Sequence, residues 1–319
     1  MELNNQKTDA PNNLNNNNNN NNNNSTSTNE FDSGFFLNLD PKKLSFFSFN
    51  EKSCNISKIE ENKLQPKQSI QISTKRDDLY YNMENKYNGR CIILNYETFD
   101  SEELSRRRGT EQDVKKLSQT FRQLNFNVEM FNDLTHHKTF EIFKRESMMD
   151  HTNYNCFVVC ILTHGSNGIL HTKDKKFDTN KMFEFFTGTH CPTLVGKPKL
   201  FFIQACQGEM FDSGVLVHDS PLSSPNYFMV PNYADFLIFY STFPGHYSWR
   251  NVEHGSWFIQ TLCDVLDEFS QKFDLMTLLT IVCQKVAINY QSKVPNNYSM
   301  DRKKQMPCIM STLTRLIAF

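Results

Sequence analysis

The sequence predicts an α/β fold, with a mostly parallel central sheet of about six strands and helices on both faces. From about residue 81 onward, short apolar runs rich in β-forming residues alternate with amphipathic helical segments. This alternation is typical of parallel sheets that are covered by helices. The runs at 155–162 and 199–203 are largely apolar, as expected for strands buried on both faces. The 28 phenylalanines and 11 tyrosines provide ample apolar material for a core.

The predicted elements follow in a regular order. Residues 90–95 form the first strand, and Thr110 is placed to cap a helix with an apolar stripe at Val114, Leu117, Phe121 and Leu124. The later elements are a strand at 128–131, a helix capped by Thr135 and ending near 149, a strand at 155–162, a small hairpin within 168–178, a short helix near 180–186, strands at 199–203 and 235–240, helices at 256–267 and 275–290, and a last strand at 308–313.

Composition divides the chain into a tail and a folded domain. Residues 1–78 contain an uninterrupted asparagine run at 15–24, which buries too little apolar surface to offset chain entropy. We therefore expect a disordered, asparagine-rich segment at 1–78 without sustained helical periodicity, and a folded domain at 79–319. The segment 209–233 is rich in Pro, Ser, Asn and Gly, and we interpret it as a linker inside that domain.

Charge and hydropathy argue against several classes of function. The chain carries 34 Lys and Arg against 35 Asp and Glu, with no basic stripe between aromatics, so we expect no nucleic-acid binding. The longest apolar run, 156–162, is too short to span a bilayer, and no membrane association is expected. The polar amino terminus does not resemble a signal peptide, which indicates a cytoplasmic protein with free thiols. The cysteine and histidine spacings do not predict a metal site.

A cysteine and a histidine each follow a predicted strand directly. Cys206 lies just beyond 199–203, and His164 lies just beyond 155–162. Because carboxyl ends of parallel strands meet at one edge of a sheet, we expect the thiol and imidazole to lie together there. A thiol beside a base is an activated nucleophile, and the backbone N–H groups of Gly165 and Cys206 are candidates for an oxyanion hole. Each residue alone is more often structural, whereas the pair favours catalysis; for the other eight cysteines we expect buried structural roles.

The pentapeptide Gln-Ala-Cys-Gln-Gly at 204–208, with His164-Gly165 upstream, resembles the nucleophile signature of the caspases. The other matching motifs, in the family's order, are Arg107-Arg108-Gly109-Thr110, Gly196-Lys197-Pro198-Lys199, Tyr247-Ser248-Trp249-Arg250-Asn251, Gly255-Ser256-Trp257-Phe258-Ile259-Gln260 and Lys304-Gln305-Met306-Pro307-Cys308. The resemblance covers roughly residues 81–319. It implies the caspase fold and an effector-type zymogen of apoptosis: a cysteine endopeptidase that cuts after aspartate and needs no cofactor.

The resemblance also implies a specificity pocket. Arg107 and Arg250 would bind the P1 aspartate with Gln204 as a third donor, because forked guanidinium donors match a carboxylate; the registers with Arg106 or Arg108 in place of Arg107 stay open. The remaining implied subsite residues are Tyr247 and Trp249 at S2, Trp257 at S4, Asn251 on an acidic P4 residue, Ser248 and Arg250 pairing their backbone with substrate, and Met300 and Tyr298 in the loop that closes the groove. A preference of the Asp-Glu-x-Asp kind is expected.

Processing is a further implication of the resemblance. The linker would separate a large subunit, ending at about residue 219, from a small subunit at 220–319. We expect cleavage after Asp219 by an upstream initiator caspase, since Leu216 at P4 and His218 at P2 differ from the preference inferred above. Asp212 is a second candidate, and cleavage after Asp32 would release the tail.

The family pattern also implies a homodimer of large–small units, paired through the last strand at 308–313. Two alternatives stay open at this point. The chain could be a catalytically silent, caspase-like regulator or scaffold, whose mark would be a damaged dyad or pocket. Alternatively, the asparagine-rich tail could be the functional module and drive self-association.

Overall fold

A computed structural model describes residues 77–208, 210 and 231–319. In chain order, its strands and α-helices are β1 (Tyr87–Asn95), α1 (Thr110–Gln123), β2 (Phe126–Asn132), α2 (His136–Met148), β3 (Tyr154–Leu162), β4 (Gly165–Ser166), β5 (Ile169–His171), β6 (Lys176–Asp178), α3 (Thr179–Glu184), β7 (Lys199–Gln204), β8 (Phe236–Tyr240), β9 (Arg250–Asn251), β10 (Gly255–Ser256), α4 (Trp257–Phe269), α5 (Leu275–Asn289) and β11 (Cys308–Ser311).

Six strands form the main sheet, in the order β11-β8-β7-β3-β1-β2. All neighbouring pairs are parallel except the pair of β8 with the edge strand β11. The predicted α/β fold with a mostly parallel sheet of about six strands is therefore confirmed. The carboxyl ends of β1, β3, β7 and β8 meet at one edge, as parallel pairing requires. Among the residues described, no helix combines the length and apolar character needed to cross a membrane.

The sheet is covered on both faces because its central strands are apolar on both. Along β3, Val158, Cys160 and Leu162 belong to a core shared with α1, α4 and α5. The alternate residues Val159 and Ile161 belong to a second core shared with α2 and α3. Period-two alternation within one apolar run thus supplies two separate hydrophobic layers.

Of the two threonines predicted to cap helices α1 and α2, only one does so. The prediction that Thr110 caps α1 is wrong: Gly109 is the cap residue, in a left-handed conformation with φ of 82°. A Cβ at Gly109 would lie 2.6 Å from the Asn251 carbonyl oxygen, so glycine is required there. The Thr110 hydroxyl instead donates to Asn95 Oδ1 at 2.6 Å. Thr135 caps α2 as predicted, by accepting from the Lys138 N–H.

The expectation that every cysteine except Cys206 is buried is wrong for two residues. Cys283 on α5 and Cys308 on β11 are both partly exposed. The physical reason is position: β11 is the edge strand of the sheet, and the part of α5 packed beside it shares that partial exposure. Cys54 lies outside the described residues. So do the processing candidates Asp32, Asp212 and Asp219.

An ion network ties β1, β2 and α2 together on one side of the sheet. Arg90 is buried and donates from Nε to Glu146 at 3.0 Å and from Nη2 to the same carboxylate at 2.9 Å. Its Nη2 also pairs with Glu129. Arg145 bridges Glu129 and Glu146 from the solvent side. These bonds hold the pKa of Glu146 below its ordinary value despite its burial, so the carboxylate stays charged.

Candidate active site

The register of β3 and β7 brings the two predicted catalytic residues to the same level. Leu162 pairs with Gln204 at the carboxyl ends of the strands. His164 and Cys206 each lie two residues beyond that pair, and both line one small pocket at the sheet edge. The other residues lining this pocket are Arg107, Thr163, Gln204, Ala205, Tyr247, Ser248 and Arg250. The topology therefore gathers residues from four separate stretches of the chain.

His164 is oriented by a backbone carbonyl. Its Nε2 forms a hydrogen bond of 2.7 Å with the Ser105 oxygen, and the Phe99 ring lies 4.9 Å from the imidazole. A neutral imidazole has one N–H donor, so donation to Ser105 leaves Nδ1 as the acceptor nitrogen. Neither Ser105 nor Phe99 was predicted. A main-chain carbonyl has no side-chain signature, so the sequence offered no signal for Ser105.

The imidazole is neutral in this arrangement. Burial, together with the positive charges of Arg107 and Arg250, lowers the pKa of His164 to about 4 against the opposing effect of the Ser105 carbonyl. At neutral pH, His164 can therefore accept a proton but carries no charge of its own before substrate binds.

The Cys206 thiol is hydrogen-bonded to the backbone of Ser248, and no hydrogen bond joins it to the His164 imidazole among the described residues. Its Sγ accepts from the Ser248 N–H at 3.4 Å and lies 3.9 Å from the Ser248 carbonyl oxygen. Burial raises the pKa of the thiol above its ordinary value, although Arg107, Arg250 and the Ser248 bond act in the opposite direction. The resting nucleophile is thus a neutral thiol.

The backbone around the nucleophile leaves one donor available. The Ala205 N–H bonds to the Ser241 hydroxyl at 3.3 Å, and the Gln207 N–H bonds to the His246 carbonyl at 3.0 Å. Between them, the Cys206 N–H has no hydrogen-bond partner within the described part of the chain. Gly165 lies directly against this turn, where a Cβ would be 2.9 Å from the Cys206 oxygen. The two predicted oxyanion-hole residues are therefore adjacent.

Arg107 is the cation at the base of the pocket. It is only 1% exposed. Its Nη1 donates to the Tyr96 carbonyl at 2.9 Å and to the Thr110 hydroxyl at 3.1 Å. Its Nη2 is buried and has no hydrogen-bond partner among the described residues. A buried donor left unpaired in a pocket is suited to an anionic group from outside the chain.

The alternative registers for this arginine place a different side chain elsewhere. Arg106 lies at the surface, 2.7 Å from Glu97, and Arg108 is exposed. Only Arg107 of the three lines the pocket with the thiol and imidazole. Burial, and next the charge of Arg250, hold the pKa of Arg107 well below its ordinary value, which shows how strongly this site disfavours two cations without an anion.

Gln204 and Arg250 complete the polar lining. The Gln204 amide nitrogen donates to the Ser248 hydroxyl at 2.9 Å, whereas its Oε1 is buried without a partner among the described residues. Arg250 donates from Nε to the Arg108 carbonyl at 2.9 Å. The predicted third donor thus uses one of its two amide N–H groups on the Ser248 hydroxyl.

Comparison with known proteins agrees with this geometry. A family model for the caspase domain matches residues 88–318. The chain belongs to the caspase family. It is 42% identical over 257 residues to caspase-1 of Spodoptera frugiperda, covering 80% of this chain and 86% of that protein. It is 41% identical to caspase drICE of Drosophila melanogaster, covering 79% and 76%, and 41% identical to caspase-3 of Mesocricetus auratus, covering 76% and 87%.

A solved structure shows the same likeness in three dimensions. The crystal structure of caspase-1 from Spodoptera frugiperda has a TM-score of 0.74 and 42% identity, covering 78% of this chain and 98% of that one. The fold is accordingly that of the caspases. The chain is an aspartate-specific cysteine peptidase, and effector caspases of apoptosis are among its relatives.

In this caspase, the aromatic residues predicted for S2 and S4 form one cluster. The Trp249 and Trp257 rings stack with centroids 5.8 Å apart, and Tyr247 meets Trp249 edge-on at 5.2 Å. Met300 packs against both tryptophans and is buried with them. Tyr298, the other loop residue considered, is 96% exposed and does not join the cluster. The loop carrying Met300 therefore contributes a buried apolar side chain to this aromatic cluster.

Asn251 is already engaged within its own turn. Its Oδ1 accepts from the Glu253 N–H at 2.7 Å and from the His254 N–H at 2.9 Å. The side-chain oxygen of Asn251 is therefore committed to this turn.

A buried carboxylate stands behind the caspase pocket and was not predicted. Asp113 accepts from the Ser256 N–H at 2.8 Å and from the Gln260 side chain at 2.9 Å through Oδ1. Burial raises the pKa of Asp113 to about 6, against these hydrogen bonds and the nearby charge of Arg107. The motifs at 107–110 and 255–260 contain residues close to Asp113, but neither motif contains Asp113 itself.

Proposed function

We propose that this caspase is an effector-type zymogen with a prodomain at 1–78 and a catalytic domain at 79–319. The observation that carries the proposal is the buried Arg107 guanidinium, whose Nη2 lacks a partner among the described residues in the pocket shared with Cys206 and His164. A P1 aspartate would supply the missing anion there. Arg250 and Gln204 would complete its binding.

The proposed chemistry is acyl transfer through a thioester. The Cys206 proton passes to His164 Nδ1, and the thiolate attacks the carbonyl carbon after the P1 side chain has bound. The developing oxyanion accepts from the Cys206 and Gly165 N–H groups. His164 then gives its proton to the leaving amine. In deacylation, His164 takes a proton from water, and hydroxide attack releases the carboxylate product and restores the thiol.

Specificity beyond P1 would come from the segment 247–251. Backbone pairing of Ser248 and Arg250 with an extended substrate is supported by their place in the lining of the pocket that contains Cys206 and His164. Tyr247 and Trp249 would shape S2, Trp257 would contribute to S4, and Asn251 would donate to P4. Displacement of Met300 from the two tryptophans would open this apolar region to substrate.

We further propose activation by an upstream initiator caspase and assembly into a homodimer in the cytoplasm. Cleavage after Asp219 would divide the large subunit, ending at about 219, from the small subunit at 220–319, within a linker at 209–233. Dimer pairing through β11 is supported by its edge position and by Met310, which is 48% exposed on it. Cleavage after Asp32 would release the prodomain.

One assay tests the central claim. A tetrapeptide library varied at P1 and P4 is profiled with the full-length chain after cleavage by an initiator caspase that is then removed, with Cys206→Ser, treated in the same way, as the inactive control. We expect cleavage after aspartate with an acidic preference at P4. Comparable turnover with bulky apolar P4 residues would contradict the P4 assignment, and turnover by Cys206→Ser would contradict the nucleophile. Intact-mass analysis of the parent and of Asp219→Ala, each treated with an initiator caspase, tests the processing site.

A further inference from the structure

Gln305 connects two parts of the site that are far apart in sequence. It lies just before β11 and is 1% exposed. Its Oε1 accepts from the Trp249 N–H at 2.7 Å, and its Nε2 donates to the Ser241 carbonyl oxygen at 2.7 Å. Both ends of the amide are therefore bound to main chain. We call this Ser241–Gln305–Trp249 connection the Gln305 bridge.

One end of the Gln305 bridge leads to the nucleophile. Ser241 follows β8, and its N–H donates to the Ile203 carbonyl on β7 at 2.9 Å. Its hydroxyl contacts Ala205 twice, accepting from the N–H at 3.3 Å and donating to the carbonyl at 3.0 Å. Ala205 immediately precedes Cys206. The position of Ser241 is thus fixed to the backbone that presents the thiol.

The other end of the Gln305 bridge fixes the segment 247–251. The Trp249 N–H is used by Gln305, and the Trp249 carbonyl accepts from the Trp257 N–H at 3.4 Å. Successive backbone groups of an extended segment point in opposite directions. With both Trp249 groups bound inward, the groups of Ser248 and Arg250 face the pocket, where a substrate strand would lie.

We propose that Gln305 is a positioning residue that holds the segment 247–251 in register with Cys206 for an extended peptide. This inference rests on the proposed binding of substrate along that segment. The amide suits the task because it supplies one acceptor and one donor in a single plane, so that it can satisfy an N–H and a carbonyl at once. Gln305 touches neither the reacting atoms nor the P1 pocket lining.

Two variants separate the ends of the Gln305 bridge. Gln305→Leu has similar size but removes both bonds. Gln305→Glu keeps an acceptor for the Trp249 N–H but faces the Ser241 carbonyl with a carboxylate oxygen. Gln291→Leu is the matched control, because Gln291 is exposed at the start of the same loop and bonds only to the Arg302 carbonyl, at 3.3 Å.

The experiment compares two reactions of the same thiol in the full-length chain after cleavage by an initiator caspase that is then removed. One is inactivation by a tetrapeptide chloromethyl ketone that ends in aspartate, and the other is alkylation of Cys206 by iodoacetamide, followed by mass spectrometry. For Gln305→Leu we expect the peptide reaction to slow by about tenfold to a hundredfold. The iodoacetamide rate should stay within about twofold of the parent, since that reagent needs no extended groove. Gln305→Glu should give a smaller loss of the same kind.

Several outcomes would overturn the inference. The rate of the peptide reaction could be unchanged in both Gln305 variants, both reactions could slow equally, or Gln291→Leu could show a matching loss. Failure of both Gln305 variants to unfold cooperatively on heating would also overturn it, because Gln305 would then act in folding alone. Variant-to-parent ratios are read with whichever tetrapeptide the parent prefers. A parent that prefers another P1 residue would therefore contradict the proposed specificity without affecting the test of Gln305.

Discussion

The Cys206 thiol accepts a hydrogen bond of 3.4 Å from the backbone N–H of Ser248. The base of the dyad, His164, meanwhile bonds to the Ser105 carbonyl. An extended substrate would pair with the backbone at Ser248 and so compete with the thiol for that N–H. Under the proposed mechanism, binding and activation would thereby be linked, because a substrate that takes the Ser248 N–H would free the thiol to approach His164.

The resting thiol should react slowly and only as the pH rises. Burial raises the pKa of Cys206 above its ordinary value and helps to lower that of His164 to about 4. Between the pKa of His164 and that of Cys206, both side chains are neutral. We expect the rate of Cys206 alkylation by iodoacetamide to climb through a midpoint above roughly 8.5, the ordinary thiol value. A rate that is already at its plateau near pH 6 would instead reveal a preformed thiolate–imidazolium pair.

Occupation of the pocket by an anion should raise the pKa of His164. The charges of Arg107 and Arg250 help to depress it, and a P1 carboxylate would offset both. Titration of the His164 ring by NMR in Cys206→Ala, with and without an aspartate-ended peptide, should show an upward shift on binding. The same peptide with asparagine at P1 is the control and should produce a smaller shift or none.

Replacing Arg107 should remove selectivity for aspartate. Loss of one partner of a desolvated charge pair costs about 2–5 kcal/mol, so Arg107→Gln should lower kcat/KM for a P1 aspartate by at least about thirtyfold. Arg106→Gln removes a neighbouring surface pair with Glu97 and should change kcat/KM by no more than about fivefold. Similar losses in the two variants would contradict the assignment of Arg107 to the pocket.

Stability should depend on pH through Asp113. Its folded-state pKa of about 6 lies above its ordinary value of 3.8, so the folded state holds this proton more tightly than the unfolded chain does. The parent therefore loses stability as pH rises from about 4 to 6, by up to ~3 kcal/mol. Asp113→Asn keeps an acceptor for Ser256, and its stability relative to the parent should grow over that range. Urea unfolding at pH 4, 5, 6 and 7 measures the difference, and parallel curves would contradict it.

The buried ion network should be asymmetric in its importance. Arg90 is buried against Glu146, whereas Arg145 contacts the same carboxylate from the solvent side. Arg90→Met should cost about 3 kcal/mol or more in urea unfolding, because it leaves a charge uncompensated on its buried side. Arg145→Met should cost about 1 kcal/mol or less. Equal losses of unfolding free energy in the two variants would show that both arginines stabilise the Glu146 carboxylate to the same extent.

The sequence predicted the parts of the site that short motifs carry. Cys206 and His164 could be located because each directly follows a predicted strand. Arg107 could be located because it lies in one of the matching motifs. Ser105 could not be located, because it acts through a main-chain carbonyl. Gln305 lies in one of the matching motifs, but its role could not be predicted, because its contacts form only after β8 and the segment 247–251 come together. Thr110 failed as a cap for a related reason: its hydroxyl was taken by Asn95, a residue from another strand.

The hydrogen bonds between β7 and β8 determine what happens when the polypeptide between these strands is cut. These strands pair in parallel from Lys199 opposite Phe236 to Ile203 opposite Tyr240. The ladder is made by residues that lie on either side of the stretch 211–230 in sequence. Breaking one peptide bond in this stretch would yield two polypeptides that migrate apart in detergent yet elute together in native buffer, since the inter-strand bonds survive the nick.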